Sequence, residues 1–326
     1  MEEQKFKQKQ LKETAIIATS VTGLLVVLVV IFIFAKSSLA EKENVVRTNT
    51  DNQEVTEHGD NLQIDPFEQV RISGHSAYIK DLNSGKTLYS KNASKQMPLA
   101  SLTKVVTALT AAEILEDSDL VRIDWKQANG NDGLISGEHF RFGDLVNFTL
   151  ISSSNNGATA LAFAAGSVVD TDNDPEQSFV DQMNILVERI GMTDTKFRNE
   201  TGLDENDETE AGALGSAMDI ATLFEYVLEH EPQLLEATRA SMLTVRSKEG
   251  FEHHLKNTNE IVDSLPNIVG SKTGYTDVAG GNLAVVIDPA LNTPVVIVVL
   301  GSSKDGRFKD VERLTQATLD YFITQG

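Results

Sequence analysis

The sequence predicts an α/β (α+β) fold, in which the two ends of the globular region build one sheet and the residues between them form a helical insert. Three observations lead there. Ser76–Asp81 and Lys86–Ser90 are short runs with β-branched and aromatic residues on either side of Asn83-Ser84-Gly85, as in a hairpin. Phe142–Leu150, Ala158–Val169, Pro175–Ile190 and Ala217–Glu229 repeat apolar residues with the 3.6 period of helices. Gly281–Ile287 and Pro294–Leu300 then read as strands, and the unbroken apolar run Val295–Leu300 fits a strand buried on both faces.

In chain order, Lys5, Lys7, Lys9 and Lys12 precede Thr14–Ala35, which carries no charge over 22 residues. That length spans a bilayer as a helix, and the segment lacks the polar face of a soluble core helix. With Glu41 and Glu43 beyond it, the charge asymmetry makes 1–13 a cytoplasmic tail, 14–35 a single-pass transmembrane signal-anchor, and everything after it extracytoplasmic. A cleaved signal peptide is the competing reading, with Ser38-Leu39-Ala40 as its cleavage site. The apolar run, however, exceeds the about 7–15 residues of a signal core. Residues 36–69 are polar, acidic and aperiodic, which reads as a linker. The globular domain is 70–326. Within it Pro98 precedes a helical run from Ser101 to Leu115, with Val105, Ala108, Leu109 and Ala112 on its apolar face. Phe308–Ile323 is the closing helix.

Composition excludes several chemistries. The chain has no cysteine, so it has no thiol nucleophile, iron–sulfur cluster or cysteine zinc site. A formal charge of -20 argues against nucleic acid as a partner, because phosphate binding needs a basic surface. The histidines at 58, 75, 139, 230, 253 and 254 show no metal-binding spacing. Asp170-Thr171-Asp172-Asn173-Asp174-Pro175-Glu176 has a D-x-D-x-D spacing, but Pro175 stands where a calcium loop needs glycine. It reads as a solvated loop, and neither metal nor cofactor is expected.

Three short segments carry chemistry. In Ser101-Leu102-Thr103-Lys104 the serine and lysine share one helix face. A hydroxyl becomes a good nucleophile only when a base takes its proton. Lys104 must therefore be neutral part of the time, and burial and a second cation at Lys272 are expected to lower its pKa. The helix N-terminus favours an oxyanion beside Ser101.

In Ser152-Ser153-Ser154-Asn155-Asn156 an S-x-N pattern fits two registers, Ser153/Asn155 and Ser154/Asn156. The second is preferred, because Ala158 then falls four after the serine at the head of the next helix. Ser154 would pass a proton to a leaving amine, and Asn156 would hold a substrate carbonyl.

In Val269–Thr276, Lys272 on the cleft side of a strand sets a cation beside a substrate carboxylate, and Thr273 adds a hydrogen bond. Gly274 leaves room for a substrate backbone to lie antiparallel to the strand. Each pattern alone has an ordinary explanation as a capping serine, a solvated lysine or an edge strand. Their weight comes from the order S-x-x-K, S-x-N, K-T-G.

With those residues in that order, the chain resembles the low-molecular-mass penicillin-binding proteins, specifically the serine-type D-alanyl-D-alanine carboxypeptidases. The likeness runs from about residue 70 to 326. It includes Pro98–Lys104, the preceding hairpin, Gly202-Leu203 after Asn199, and Asn257-Thr258-Asn259 ahead of Lys272–Thr276. It implies a β-lactamase/transpeptidase-like fold, an antiparallel sheet flanked by helices with a helical subdomain. It implies an acyl-enzyme on Ser101 with Lys104 as base and Ser154 as proton relay. Asn156, Lys272, Thr273, Gly274 and Tyr275 would bind substrate. The backbone N–H groups of Ser101 and Tyr275 would form the oxyanion hole. The implied substrate is a peptidoglycan stem peptide ending in D-Ala-D-Ala, with β-lactams as inhibitors. Many members carry a second, β-rich domain and a C-terminal amphipathic anchor. Here about 50 residues follow K-T-G, so neither is expected, and the N-terminal helix takes the anchor's place. Two alternatives stay open. A serine β-lactamase shares the motifs, although no E-x-x-L-N segment lies between the second and third. A non-catalytic tethered module for β-lactams or peptidoglycan is the other, and intact Ser101, Lys104, Ser154 and Lys272 weigh against it.

Overall fold

The computed structural model describes residues 65–124, 132–170, 174–206 and 209–325. The expected tail, transmembrane segment and most of the linker lie outside the described residues. Among those described, no helix is long and apolar enough to cross a membrane.

The hairpin forms as expected, from β1 (Ser76–Asp81) and β2 (Thr87–Lys91). After β3 (Met97–Pro98), a 3-10 turn at Ala100–Leu102 leads into α1 (Thr103–Ala112). The helix expected from Ser101 thus begins as a tighter turn, and Ala100 adopts a left-handed φ of +48°. The insert continues with β4 (Leu120–Arg122), β5 (His139–Arg141), α2 (Phe142–Ser152), α3 (Asn155–Val169) and α4 (Pro175–Arg189). Asp174 caps α4 by accepting from the Glu176 N–H at 3.1 Å, with Pro175 at the first helical position. Residues 171–173 of the D-x-D-x-D stretch lie outside the described residues. Next come β6 (Lys196–Phe197), β7 (Ala213–Gly215), α5 (Ala217–His230), α6 (Gln233–Glu236), β8 (Met242–Arg246) and β9 (Glu252–Lys256). The chain ends with β10 (Ile268–Thr276), β11 (Gly280–Ile287), β12 (Val295–Ser302) and α7 (Gly306–Gln325).

The two ends build one antiparallel sheet in the order β10-β11-β12-β1-β2. Strand β12 lies at its centre and is buried at every position, as its apolar run anticipated. The two-residue period of strands sorts the sheet into two faces. Ile79, Leu283, Val285 and Ile297 pack under Phe308, Val311 and Leu314 of α7. Tyr78, Ala284, Val286 and Val298 face the larger core shared with the insert. Phe67 is buried against Tyr89 and Tyr321, with ring centroids 5.9 and 6.1 Å away, so packing begins before Val70. The pairings β3-β7-β6, β4-β5 and β8-β9 were not foreseen, because pieces of two to five residues are too short to display a period. In this arrangement β10 is the edge of the main sheet, and the turn before α1 lies against it.

Candidate active site

The nucleophile turn is held in an unusual backbone shape. Ala100 is left-handed, and Gly202, at φ +75°, passes so close that a Cβ there would meet the Ala100 carbonyl oxygen at 2.0 Å. Asn282 of β11 is buried and donates to the carbonyls of Pro98 at 2.9 Å and Leu99 at 3.0 Å. A strained turn persists only where its surroundings over-determine it, and such turns gather at functional sites.

One residue later Ser101 meets Lys104, whose Nζ lies 3.0 Å from Ser101 Oγ. The same Nζ donates to Asn155 Oδ1 at 2.6 Å and to the Thr201 carbonyl at 2.8 Å. A neutral amine has two N–H donors and one lone pair. It can therefore satisfy both oxygens and still accept the Ser101 proton. Lys104 is fully buried, and burial pulls its pKa down to about 7, against the Glu200 and Asp132 carboxylates, which push it up. The expected second cause, the charge of Lys272, acts the other way round. Burial, then Lys104, then Arg307 push the pKa of Lys272 well below the usual lysine range.

Lys272 on β10 is buried, and its Nζ donates to Ser153 Oγ at 2.8 Å and to the Thr273 carbonyl at 2.9 Å. The register of the middle motif is thereby corrected: Ser153 and Asn155, not Ser154 and Asn156, face the two lysines. The physical reason lies in the junction of α2 and α3. Ser153 ends α2 in the left-handed conformation, φ +61°, which turns its hydroxyl toward β10. Ser154 is the N-cap of α3, and its hydroxyl accepts from the Gly157 N–H at 2.8 Å. It also donates to Asp132, which accepts from Asn156 Nδ2 at 2.9 Å. The same position at the helix head that favoured Ser154 thus commits it to capping. Ser154 and Asn156 tie the Asp132 loop to α3, where a carboxylate suits the positive helix end.

The K-T-G strand lies where the sequence placed it. Thr273 Oγ1 is 2.6 Å from Thr258 Oγ1, and Asn259 Nδ2 donates to Ser271 Oγ at 3.1 Å, so the Asn257-Thr258-Asn259 segment braces β10. The glycine of the motif has a reason beyond the one expected. A Cβ on Gly274 would meet the Leu99 carbonyl oxygen at 2.8 Å and Ser101 N at 3.2 Å. Its smallness serves the close approach of β10 to the nucleophile turn. Tyr275 is half exposed, with its hydroxyl donating to Asp277 at 3.0 Å and Lys304 Nζ 5.4 Å from its ring centroid.

Sequence reasoning missed Thr201, Asn282 and Arg307. Arg307 donates to the Gly274 carbonyl at 2.7 Å. The likeness at Gly202-Leu203 after Asn199 pointed to the 199–204 loop, where Gly202 is left-handed and Asp204 accepts from Thr276 Oγ1 at 3.0 Å.

A serine paired with a buried lysine near neutrality, on a turn packed against the edge strand of an antiparallel sheet, is an arrangement suited to acyl transfer. The solved structure of penicillin-binding protein D2 from Listeria monocytogenes, in its ampicillin-bound form, superposes with a TM-score of 0.64 at 27% identity, covering 76% of this chain and 98% of that one. The D-alanyl-D-alanine carboxypeptidase family profile matches residues 63–304, and the chain belongs to that family. It is 31% identical over 261 residues to the D-alanyl-D-alanine carboxypeptidase DacF of Bacillus subtilis, covering 77% of this chain and 62% of that protein, so it spans less than two thirds of that relative's length. A D-alanyl-D-alanine endopeptidase of Escherichia coli is 29% identical over 256 residues, 76% of this chain and 77% of its own.

Proposed function

We propose that this chain is a serine-type D-alanyl-D-alanine carboxypeptidase acting on peptidoglycan stem peptides. Neutral Lys104 accepts the Ser101 proton as Oγ attacks the carbonyl carbon of the penultimate D-alanine. The developing oxyanion is held by the backbone N–H groups of Ser101 and Tyr275. The amide C–N bond breaks, and the leaving amine takes a proton through Ser153, which Lys272 holds at 2.8 Å. Water then adds to the Ser101 ester, giving up a proton to the Lys104 side and releasing the shortened peptide. Asn155 orients Lys104 and the acyl amide, and Lys272 with Thr273 receives the terminal carboxylate. The roles first given to Ser154 and Asn156 pass to Ser153 and Asn155.

The observation that carries this reading is the Ser101–Lys104 contact at 3.0 Å with Lys104 pulled down to about 7. The test is release of free D-alanine from a diacetyl-Lys-D-Ala-D-Ala peptide by the full chain in detergent, with labelling by a fluorescent penicillin. Both should be lost in Ser101→Ala, and undiminished labelling of that variant would refute the nucleophile. A penicilloyl adduct that hydrolyses within seconds would favour the β-lactamase reading, whereas labelling without D-alanine release would favour a binding module. The membrane placement, with 14–35 as anchor and the domain outside, rests on the uncharged run and its flanking lysines. Protease digestion of intact cells should remove the domain, and its protection would overturn that placement.

A further inference from the structure

Arg307 is a cation that the mechanism above leaves unused. It stands in the first turn of α7, is 7% exposed, and lies over the Phe308 ring at 4.7 Å. Its Nε is buried with no hydrogen-bond partner, and among the described residues it forms no ion pair. Three features disfavour a cation there. It is buried without a directly paired anion, and burial outweighs the longer-range pull of Glu260 and Asp305, so its pKa is lowered. It sits near Lys272, whose pKa it helps to lower. It also occupies the positive end of a helix. A residue kept against such costs marks a position where function overrides local stability.

The peptide group that Arg307 holds is the one joining Gly274 to Tyr275. In a planar trans peptide the C=O and N–H point in opposite directions. Ser271 N–H turns away from β11 and donates to Thr238 Oγ1 at 3.0 Å. The β10–β11 register is regular from Gly270 to Thr276, so the two-residue period turns the Tyr275 N–H toward the same free edge. The nucleophile turn packs over this edge strand at Gly274, where a Cβ would lie 3.2 Å from Ser101 N, so the free edge at Tyr275 adjoins Ser101.

We propose that Arg307 is a positioning residue for the oxyanion hole: by donating to the Gly274 carbonyl it fixes the peptide plane and strengthens the Tyr275 N–H as a donor to the oxygen of the attacked carbonyl. The inference rests on the assignment of the Tyr275 N–H under Proposed function. Hydrogen bonds in series polarise one another, and a charged donor at one end strengthens the effect at the other. Arg307 itself touches no reacting atom.

The test uses the full chain as wild type, Arg307→Gln and Arg307→Lys, each acylated by a penicillin carrying 13C at its β-lactam carbonyl. Infrared difference spectra read the ester carbonyl stretch, which rises as its hydrogen bonds weaken. The band should move to higher frequency in Arg307→Gln and part of the way back in Arg307→Lys, which keeps a cationic donor. Deacylation and kcat for a D-Ala-D-Ala peptide should fall about tenfold with KM little changed, less than the roughly 10²–10³ for losing an oxyanion donor outright. An unshifted band with a raised KM for carboxylate-terminated peptides would overturn the proposal, because Arg307 would then serve the substrate carboxylate. If Arg307→Gln fails to fold, Arg307→Met, which keeps the apolar stem and no donor, is read in the same way, an unshifted band again overturning the proposal. A wild type that gives no ester band would instead refute the acyl-enzyme on which the inference stands.

Discussion

Lys104 on the first helix and Lys272 on the edge strand are both buried, yet their surroundings differ in kind. Around Lys104 are three oxygen partners, with the Glu200 and Asp132 carboxylates acting at longer range. Around Lys272 are two acceptors and two further basic side chains, Lys104 and Arg307, with no carboxylate in an ion pair among the described residues. The helix region is complete in itself and balanced to exchange one proton. The strand region has only the longer-range carboxylates of Glu260 and Asp305 near Arg307, which leaves room for the proposed role of receiving a substrate carboxylate. The contrast supports the proposed division into a base and an anchor, two roles that the residue type alone does not distinguish.

The sharpest way to break this comparison is Lys104→Met. Acylation by a fluorescent penicillin, followed by stopped flow, should slow by about 10²–10⁴ while affinity for a D-Ala-D-Ala peptide holds. A retained acylation rate would remove Lys104 as base. Lys272→Met should do the opposite, raising KM about 10- to 100-fold for peptides with a free terminal carboxylate, the span of a charged hydrogen bond. Amide-ended analogues should be little affected, and an equal loss for both would end the anchor reading.

The pH dependence separates the two lysines further. Lys104 acts when neutral, so acylation should fall about tenfold per unit as pH drops below about 7. A rate flat from pH 5 to 8 would count against it. Stability follows the same sign. The folded pKa is depressed from 10.5 to about 7, so between those values the unfolded chain holds the extra proton, and Tm should rise with pH across that window. Lys104→Met should reduce the rise without abolishing it, because Lys272, held well below the usual lysine range, contributes with the same sign.

The smallest effect tests the register beside Lys272. Ser154→Ala should cost about 1 kcal/mol of stability through the lost helix cap, with acylation close to wild type. Ser153→Ala should slow turnover without that loss of Tm. The reverse pattern would restore the register one residue later.

Much of the architecture was legible because it rests on periodicity. The hairpin, the long helices and the buried β12 each repeat a pattern over enough residues to declare themselves, and their observed bounds differ only at the ends. The left-handed Ala100 was not legible, because alanine does not advertise that conformation. Nor were the braces at Asn282 and Arg307. Each is a single polar residue whose meaning lies in a carbonyl far away in sequence, at Pro98, Leu99 or Gly274.

By itself the sequence determined which three segments meet, which serine and lysine form the first pair, and that a sheet built from both chain ends would carry them. Those features follow from spacing and hydrophobic period, which are local. Only the tertiary structure decided which serine of Ser152-Ser153-Ser154 faces Lys272. The choice turns on one left-handed residue between two helices, which sends neighbouring hydroxyls in different directions. One goes to the cleft and one to the helix cap, and no sequence period distinguishes them.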